Sequence, residues 1–231
     1  MVRMAADIAA ESLRDRKKAR RRDALIAAAT TLFGNKGVDA TTMADIAEAC
    51  DVSVPTVFNY FGSKDGLLMA IIDEGARRGR DNETRLPRPE GVSLPDVVRA
   101  LFSRISSQTL DVAPKRVWRY AEASIIRHPH TELSNTYRQI ETLLVESIAA
   151  SLGAYALTTR QGAPLDPHDL ATMLHDLWMP CFISLITDPG MTIAQHDALV
   201  ARRVLPVLSL VFDDESLASP RLRRSGAPDG R

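Results

Sequence analysis

Most of the marks of an enzyme, a secreted module or a membrane protein are scarce in this 231-residue chain. There are two cysteines, Cys50 and Cys181, far apart and each in an apolar helical context. That excludes a disulfide framework or a cysteine-rich zinc module and leaves buried free thiols as the expectation. Alternating β-branched runs bounded by turns are missing, so a sandwich, barrel or parallel sheet is not expected. No apolar run approaches the roughly 20 residues of a membrane span. The opening "MVRMAADIAAESLRDRKK" has no apolar leader core. A reducing cytoplasm, with no membrane partner, is the expected setting. Net charge is near zero, with 29 Lys plus Arg against 29 Asp plus Glu, so the chain as a whole has no pull toward nucleic acid. A glycine-rich phosphate loop, a serine nucleophile elbow and zinc-type cysteine spacing are all missing, so no catalytic residue, cofactor or metal site is expected. His128 and His130 flank a proline in a turn, where exposure is a better reading than metal ligation.

What remains is helix. Apolar residues make up 45% of the chain, enough for a core, and they recur with a 3.6-residue period almost throughout. The reading is all-α, with about nine helices. The first runs roughly over 16–35 with the stripe Leu25, Ala28, Ala29, Leu32 and Phe33, and "GNKG" ends it. In "TTMADIAEAC", Thr42 is a candidate N-cap and Asp45 completes a capping box, with Met43, Ile46, Ala47 and Cys50 following at i, i+3, i+4 and i+7. After the turn "DVS", Ser53 is placed to cap a short helix that tolerates Pro55 in its first turn. A longer helix follows over about 64–82. "LPRPEGVSLP" then interrupts, and further helices are expected at about 96–110, 114–128, 131–158, 166–187 and 191–212. The domain reading is a basic N-terminal arm over 1–18, a helix-turn-helix domain over 19–66, a larger helical domain over 67–215 and a disordered tail over 216–231.

Two short helices joined by a tight turn and preceded by a longer one match the helix-turn-helix layout. Val57 and Phe61, four apart, anchor the second helix inward. Its other flank presents Val54, Pro55, Thr56, Phe58, Asn59 and Tyr60. The second helix of such a unit enters the major groove end-on, so Thr56 is placed to bond a base or touch a thymine methyl, while Val54, Pro55 and Phe58 offer apolar contacts. Thr42, Asn59, Tyr60 and Lys64 stand where hydroxyl, amide and ammonium groups meet phosphates. Each has a plainer reading: Thr42 and Ser53 as helix caps, Tyr60 as a half-buried aromatic with its hydroxyl in water, Lys64 as a solvated lysine. Seven of the nine residues from Arg14 to Arg22 are basic, which reads as a solvated face or as a phosphate-seeking arm.

Residues 24–68, "ALIAAATTLFGNKGVDATTMADIAEACDVSVPTVFNYFGSKDGLL", resemble the DNA-binding domain of TetR-type transcriptional regulators. The matching elements are "LFGNKG", "TTMADIA", "VS", "T-V-F-N-Y-F" and "SKDGLL", and together they cover about a fifth of the chain. The resemblance implies a three-helix DNA-binding domain, a fourth helix leading to a larger helical domain, a ligand pocket there, and a homodimer interface on the last two helices. It places the recognition helix at Val54 to Phe61 and phosphate contacts at Thr42, Tyr60 and Lys64. The chain departs from the family at Asp51, where glycine is frequent, and at Phe58, where tyrosine is frequent. Asp tolerates a left-handed backbone better than most residues, so the turn is expected to survive.

Residues 96–212 show no catalytic constellation. "DLATMLHDLWMPCFISLIT" is apolar nearly all round and must be buried, and Pro180 inside it favours a kink that opens space. His175, Trp178, Met179 and Phe182 near that proline, with Trp118 and Tyr120 from "VWRYAEASII", are the candidate lining of a mainly apolar ligand site; ordinary core packing is the plainer reading. In the last helix Leu199, Val204, Leu205, Leu208, Val211 and Phe212 suggest a twofold helical interface. The expectation is a ligand-responsive dimeric regulator, most readily a repressor released from an inverted-repeat operator in double-stranded DNA by a small-molecule effector. The alternative from another class is a helical enzyme or small-molecule-binding protein with an incidental helix-turn-helix, and activation rather than repression also stays open.

Overall fold

The computed structural model describes residues 2–223, with side chains from Leu13 onward. It divides into two compact units, Met1–Asp73 and Glu74–Arg231.

Unit 1 holds α1 (Val2–Lys36), α2 (Met43–Ala49), α3 (Val54–Phe61) and the first turns of α4 (Lys64–Arg85). Each helix contributes one stripe to a shared core: Leu25, Ala29 and Phe33 from α1, Ile46 and Ala47 from α2, Val57 from α3, and Leu67, Leu68, Ile71 and Ile72 from α4. Burial of each large side chain is worth roughly 1.5–3 kcal/mol. The residues read as a separate arm over 1–18 instead continue α1 toward its N-terminus. The physical reason is composition: Ala, Leu, Glu, Arg and Lys dominate the stretch, and neither Gly nor Pro interrupts it. The side chains of residues 1–12 lie outside the described residues.

Unit 2 contains the rest of α4, then α5 (Leu94–Val112), α6 (Lys115–Arg127), α7 (Glu132–Gly153), β1 (Tyr155–Ala156), α8 (Pro167–Thr187), α9 (Ile193–Val211), α10 (Asp214–Ala218) and β2 (Arg221–Leu222). The fold is all-α, with ten helices among the described residues rather than about nine. α8 is the central helix: it packs against α6, α7 and α9, while α9 also packs on α5. By length and composition α8 alone among the described helices would reach across a bilayer, yet half of its most apolar window is buried inside the protein. Lys115 clamps the α8–α9 turn by donating to the carbonyls of Asp188 and Met191 at 2.8 and 2.6 Å.

Two expectations fail near the C-terminus. α7 stops at Gly153 rather than near 158, and the following residues pair antiparallel with β2, Tyr155 opposite Leu222. Residues 216–223 of the segment read as a disordered tail are thus built into the fold, while 224–231 lie outside the described residues. Asp213 caps α10 by accepting from the Ser216 amide at 2.8 Å. The buried Ser216 hydroxyl in turn accepts from the Thr158 amide at 3.0 Å. A five-residue helix and a two-residue strand carry no periodicity, so tertiary pairing alone makes them visible.

Candidate nucleic-acid interface and ligand cavity

The α2–turn–α3 unit is specified locally. Thr42 and Asp45 form a reciprocal capping box: the Asp45 amide donates to Thr42 Oγ1 at 3.1 Å, and the Thr42 amide donates to Asp45 Oδ2 at 2.8 Å. These bonds from Thr42, together with Lys36 at 3.4 Å, hold the Asp45 carboxyl below its ordinary range. Thr42 Oγ1 is an acceptor here and keeps its own proton to donate outward. In the turn Asp51 adopts φ +49°, the one positive φ among the described non-glycine residues. Its amide and that of Val52 close onto the carbonyls of Glu48 and Ala47 at 3.2 and 3.0 Å. Aspartate thus holds the left-handed corner, where the resemblance made glycine the frequent residue.

Along α3, Val57 is fully buried, whereas Pro55, Phe58 and Asn59 are exposed and Val54, Thr56 and Tyr60 are half-buried. Phe58 leaves 45% of its surface to solvent, a large apolar exposure on an eight-residue helix. Phe61, read as a buried anchor, is only half-buried. Its ring lies under the Arg22 guanidinium at 5.9 Å and beside Tyr60 at 6.0 Å, so a cation–π contact from α1 shares the anchoring with core burial. Ser53 is the N-cap residue but makes no side-chain cap bond; its hydroxyl meets that of Thr56 at 2.8 Å instead. The cap expected of Ser53 is therefore replaced by a hydroxyl pair on the outer edge of the helix. Lys64 is not simply solvated. Its ammonium donates to the carbonyls of Asp39 and Thr41 at 3.1 and 3.2 Å and ties the α1–α2 loop to the start of α4.

The basic run of α1 is outward-facing. Arg14, Arg16, Lys17, Lys18, Arg20 and Arg21 are all exposed. Arg14, Lys17, Lys18 and Arg21 follow i, i+3, i+4, i+7 and so share one face. Lys17, Arg20 and Arg21 border an open concavity whose other wall is Cys50, Asp51 and Val52 in the turn. A cationic helix face thus flanks the helix-turn-helix, although the chain as a whole is neutral.

Unit 2 encloses a cavity of about 100 Å³ lined from five helices. Of the six residues expected to line it, Trp118, His175, Trp178, Met179 and Phe182 do so, and Tyr120 does not. Trp178 stacks on Phe182 at 5.1 Å, and Trp118 meets Phe182 edge-on at 5.8 Å. The Trp118 indole N–H is held by the carbonyls of Thr109 and Ala113 at 2.9 and 3.0 Å. Trp178 donates to Ser106 Oγ at 3.1 Å, and Ser106 Oγ meets His196 Nε2 at 2.7 Å. That chain joins the cavity wall to α9. Burial pushes His175 and His196 below the ordinary imidazole range, so both favour the neutral ring; Asp176 and Asp197 partly offset the effect. Sequence reasoning missed Arg80, Glu83, Gln108, Tyr137 and Glu141, which add the polar part of the lining. They sit on helices with mixed faces, and nothing in their spacing marks them. Pro180 itself is exposed and does not line this space.

The apolar stripe proposed for a second copy divides in two. Val204, Leu208 and Phe212 are fully buried in their own chain, and Leu199, Leu205 and Val211 are half-buried. Exposed instead are Leu210 at 77%, Arg203 and Pro206 on α9, and Met173 at 40% and Pro180 on α8. Leu199, Arg203, Pro206 and Leu210 follow steps of four, three and four, as do Met173, Leu177, Pro180 and Ser184. Each set is one helix face. Among the described residues no three His, Cys, Asp or Glu side chains converge as a metal-holding group.

Residues 25–71 match the family model described as bacterial regulatory proteins, tetR family. The HTH-type transcriptional regulator BetI of Stenotrophomonas maltophilia is 28% identical over 160 residues, which cover 69% of this chain and 80% of that protein. A TetR-family transcriptional regulator from Mesorhizobium loti superposes with a TM-score of 0.64 at 20% identity, covering 84% of this chain and 98% of that one. FadR of Thermus thermophilus, a TetR-family repressor solved with lauroyl-CoA, superposes with a TM-score of 0.56 at 23% identity, covering 90% of this chain and all of that one. The resemblance to TetR-type regulators, strongest over the N-terminal helices, is thereby shown.

Proposed function

We propose that the chain, a transcriptional regulator of the TetR type, is a cytoplasmic homodimeric repressor that leaves an inverted-repeat operator when a small molecule fills the cavity of unit 2. One observation carries the reading: α3 buries Val57 completely while Pro55, Phe58 and Asn59 stand in solvent beside Thr56. A short helix that spends a phenylalanine on water is matched to an external surface. The adjoining groups fit the phosphates on either side of a major groove: the outward proton of Thr42, Tyr60, the first turn of α4 at Lys64, and the cationic face of α1. Base reading falls to Thr56, with Val54, Pro55 and Phe58 offering apolar contact to thymine methyls.

The paired faces of α8 and α9 support a twofold four-helix interface, which would present two α3 helices to two half-sites. Release requires the effector to bind one arrangement of the dimer better than another. Within unit 2, Gly75, Ala76, Gly79, Arg80 and Glu83 of α4 line the cavity, so a bound molecule would touch this helix directly. FadR of Thermus thermophilus, solved in complex with lauroyl-CoA, is a repressor of similar fold that takes a small molecule.

The test is selection from randomised duplexes with the purified full chain, followed by binding to the enriched site across a salt series. An inverted repeat is expected, with affinity falling on a log–log slope of about −0.9 for each phosphate neutralised. Failure to enrich any common site would sink the regulator reading in favour of a helical small-molecule binder.

A further inference from the structure

The cavity of unit 2 has an aromatic wall and one conspicuous electrostatic feature. Trp118, Trp178 and Phe182 form a contiguous cluster of rings. Arg80 enters from α4, and its Nη1 is buried with no hydrogen-bond partner. Among the described residues no carboxylate pairs with it. A guanidinium cannot shed its proton to escape burial, so an unpaired buried Nη1 is a costly arrangement that a bound anion would relieve. His175 supplies a second such atom: its Nε2 is also buried and without a partner on the same lining.

Two acidic groups line the cavity and would favour a cation, but both are accounted for. Glu83 is held by Arg88 at 3.1 Å and by Arg104 through two bonds of 3.1 and 3.0 Å. Glu141 is shifted toward its neutral form, by burial first and then by Glu122. Arg80 is the one lining group with a fixed positive charge. In scale the cavity is near the ~150 Å³ apolar holes that accept a single aromatic ring.

We propose that this cavity takes a small organic anion with a flat apolar body, an arylcarboxylate, its charge held by Arg80 and its ring against the Trp118–Trp178–Phe182 wall. The inference rests on reading unit 2 as the effector-binding unit and names the chemical class of effector. His175 Nε2 is then placed to bond a second polar substituent, such as a ring hydroxyl.

Trp118 and Trp178 are the only tryptophans of the chain, so intrinsic fluorescence reports on the cavity, with calorimetry giving affinity. The probes are benzoate and 4-methylbenzoate, their neutral amides, and the corresponding arylmethylammonium ions, added to the full chain. The carboxylates are expected to bind about tenfold or more tighter than the amides. Arg80→Gln should abolish that preference, and Arg80→Lys should restore part of it, with thermal melts confirming that both variants fold. Tighter binding of the ammonium series, carboxylate affinity unchanged in Arg80→Gln, or no carboxylate binding at millimolar concentration each overturns the proposal. Operator binding is measured in parallel. Carboxylate binding that leaves operator affinity unchanged upholds the site and removes effector control from the proposed function. An Arg80→Gln protein that keeps both carboxylate and operator binding removes the anion inference alone.

Discussion

Thr56 is the side chain on which base selection rests in the proposed docking. Its hydroxyl is already paired with Ser53 at 2.8 Å on the outer edge of α3, which fixes the rotamer before DNA arrives. Thr56→Ala should therefore change base preference at one position of each half-site, by about 1–3 kcal/mol; an unchanged selected consensus would show that α3 docks differently. Lys64 and Tyr60 separate by a second readout. Lys64 holds the Asp39 and Thr41 carbonyls, so Lys64→Ala should weaken binding to all sequences and also lower the melting temperature, by about 1 kcal/mol of stability. Tyr60→Phe should weaken DNA binding and leave the melt unmoved. Glu122 makes a pH prediction. Burial raises its carboxyl above the ordinary 4.5, against the opposing bond donated by Tyr137. The folded state thus holds this proton better than the unfolded chain does. The stability it contributes is complete below pH 4.5 and is lost as pH rises through the raised value. His175 and His196, whose values are lowered, act the other way: their contribution is complete above the ordinary 6.5 and is lost as pH falls below it. Glu122→Gln should flatten the decline of stability that sets in as pH rises above the ordinary 4.5, relative to the parent, measured by urea denaturation at each pH. An unchanged slope would mean the raised carboxyl is not carrying the dependence.

At the scale of elements, the contact of α4 with α5 inside unit 2 depends on a missing side chain. A Cβ placed on Gly75 would lie 2.2 and 2.5 Å from the two methyls of Val112, and one on Gly79 would lie 3.0 Å from Gln108. Only glycine at 75 lets these helices approach so closely at the edge of the cavity. Gly75→Ala should cost about 1–3 kcal/mol by overpacking, even though alanine is the better helix former. Pairing it with Val112→Ala, which removes the clashing methyls, should recover part of the loss. Strictly additive losses in denaturant melts would show that the approach is not sterically limited. The same close approach brings Arg80 and Glu83, on the turns after Gly75, into the lining.

For the whole molecule, the proposal requires a second copy. Leu210 is the most exposed large apolar side chain on α9 and shares a face with Leu199, Arg203 and Pro206. Because it contributes little to its own subunit, Leu210→Asp should leave the fold intact while converting a dimer to a monomer in sedimentation or light scattering. Loss of the second reading head should then lower operator affinity roughly 100-fold or more. A parent chain that is monomeric at micromolar concentration, or a Leu210→Asp variant that stays dimeric, would move the interface elsewhere.

The sequence alone determined the elements whose causes are local. The α2–turn–α3 unit was legible because caps, the Asp51 corner and the Val57 anchor act over three to five residues, and so were the all-α class and the bounds of α5, α6, α8 and α9 to within about two residues. Tertiary structure decided everything that depends on which helix faces which. It put Arg80 into the cavity and left Tyr120 out, consumed Val204, Leu208 and Phe212 in the subunit core, turned the Ser53 hydroxyl from cap to Thr56 partner, and built 216–223 into the fold. Periodicity shows that a helix has an apolar stripe; the neighbour that covers the stripe is set by contacts between residues such as Ser106 and His196, 90 positions apart, which no local pattern encodes.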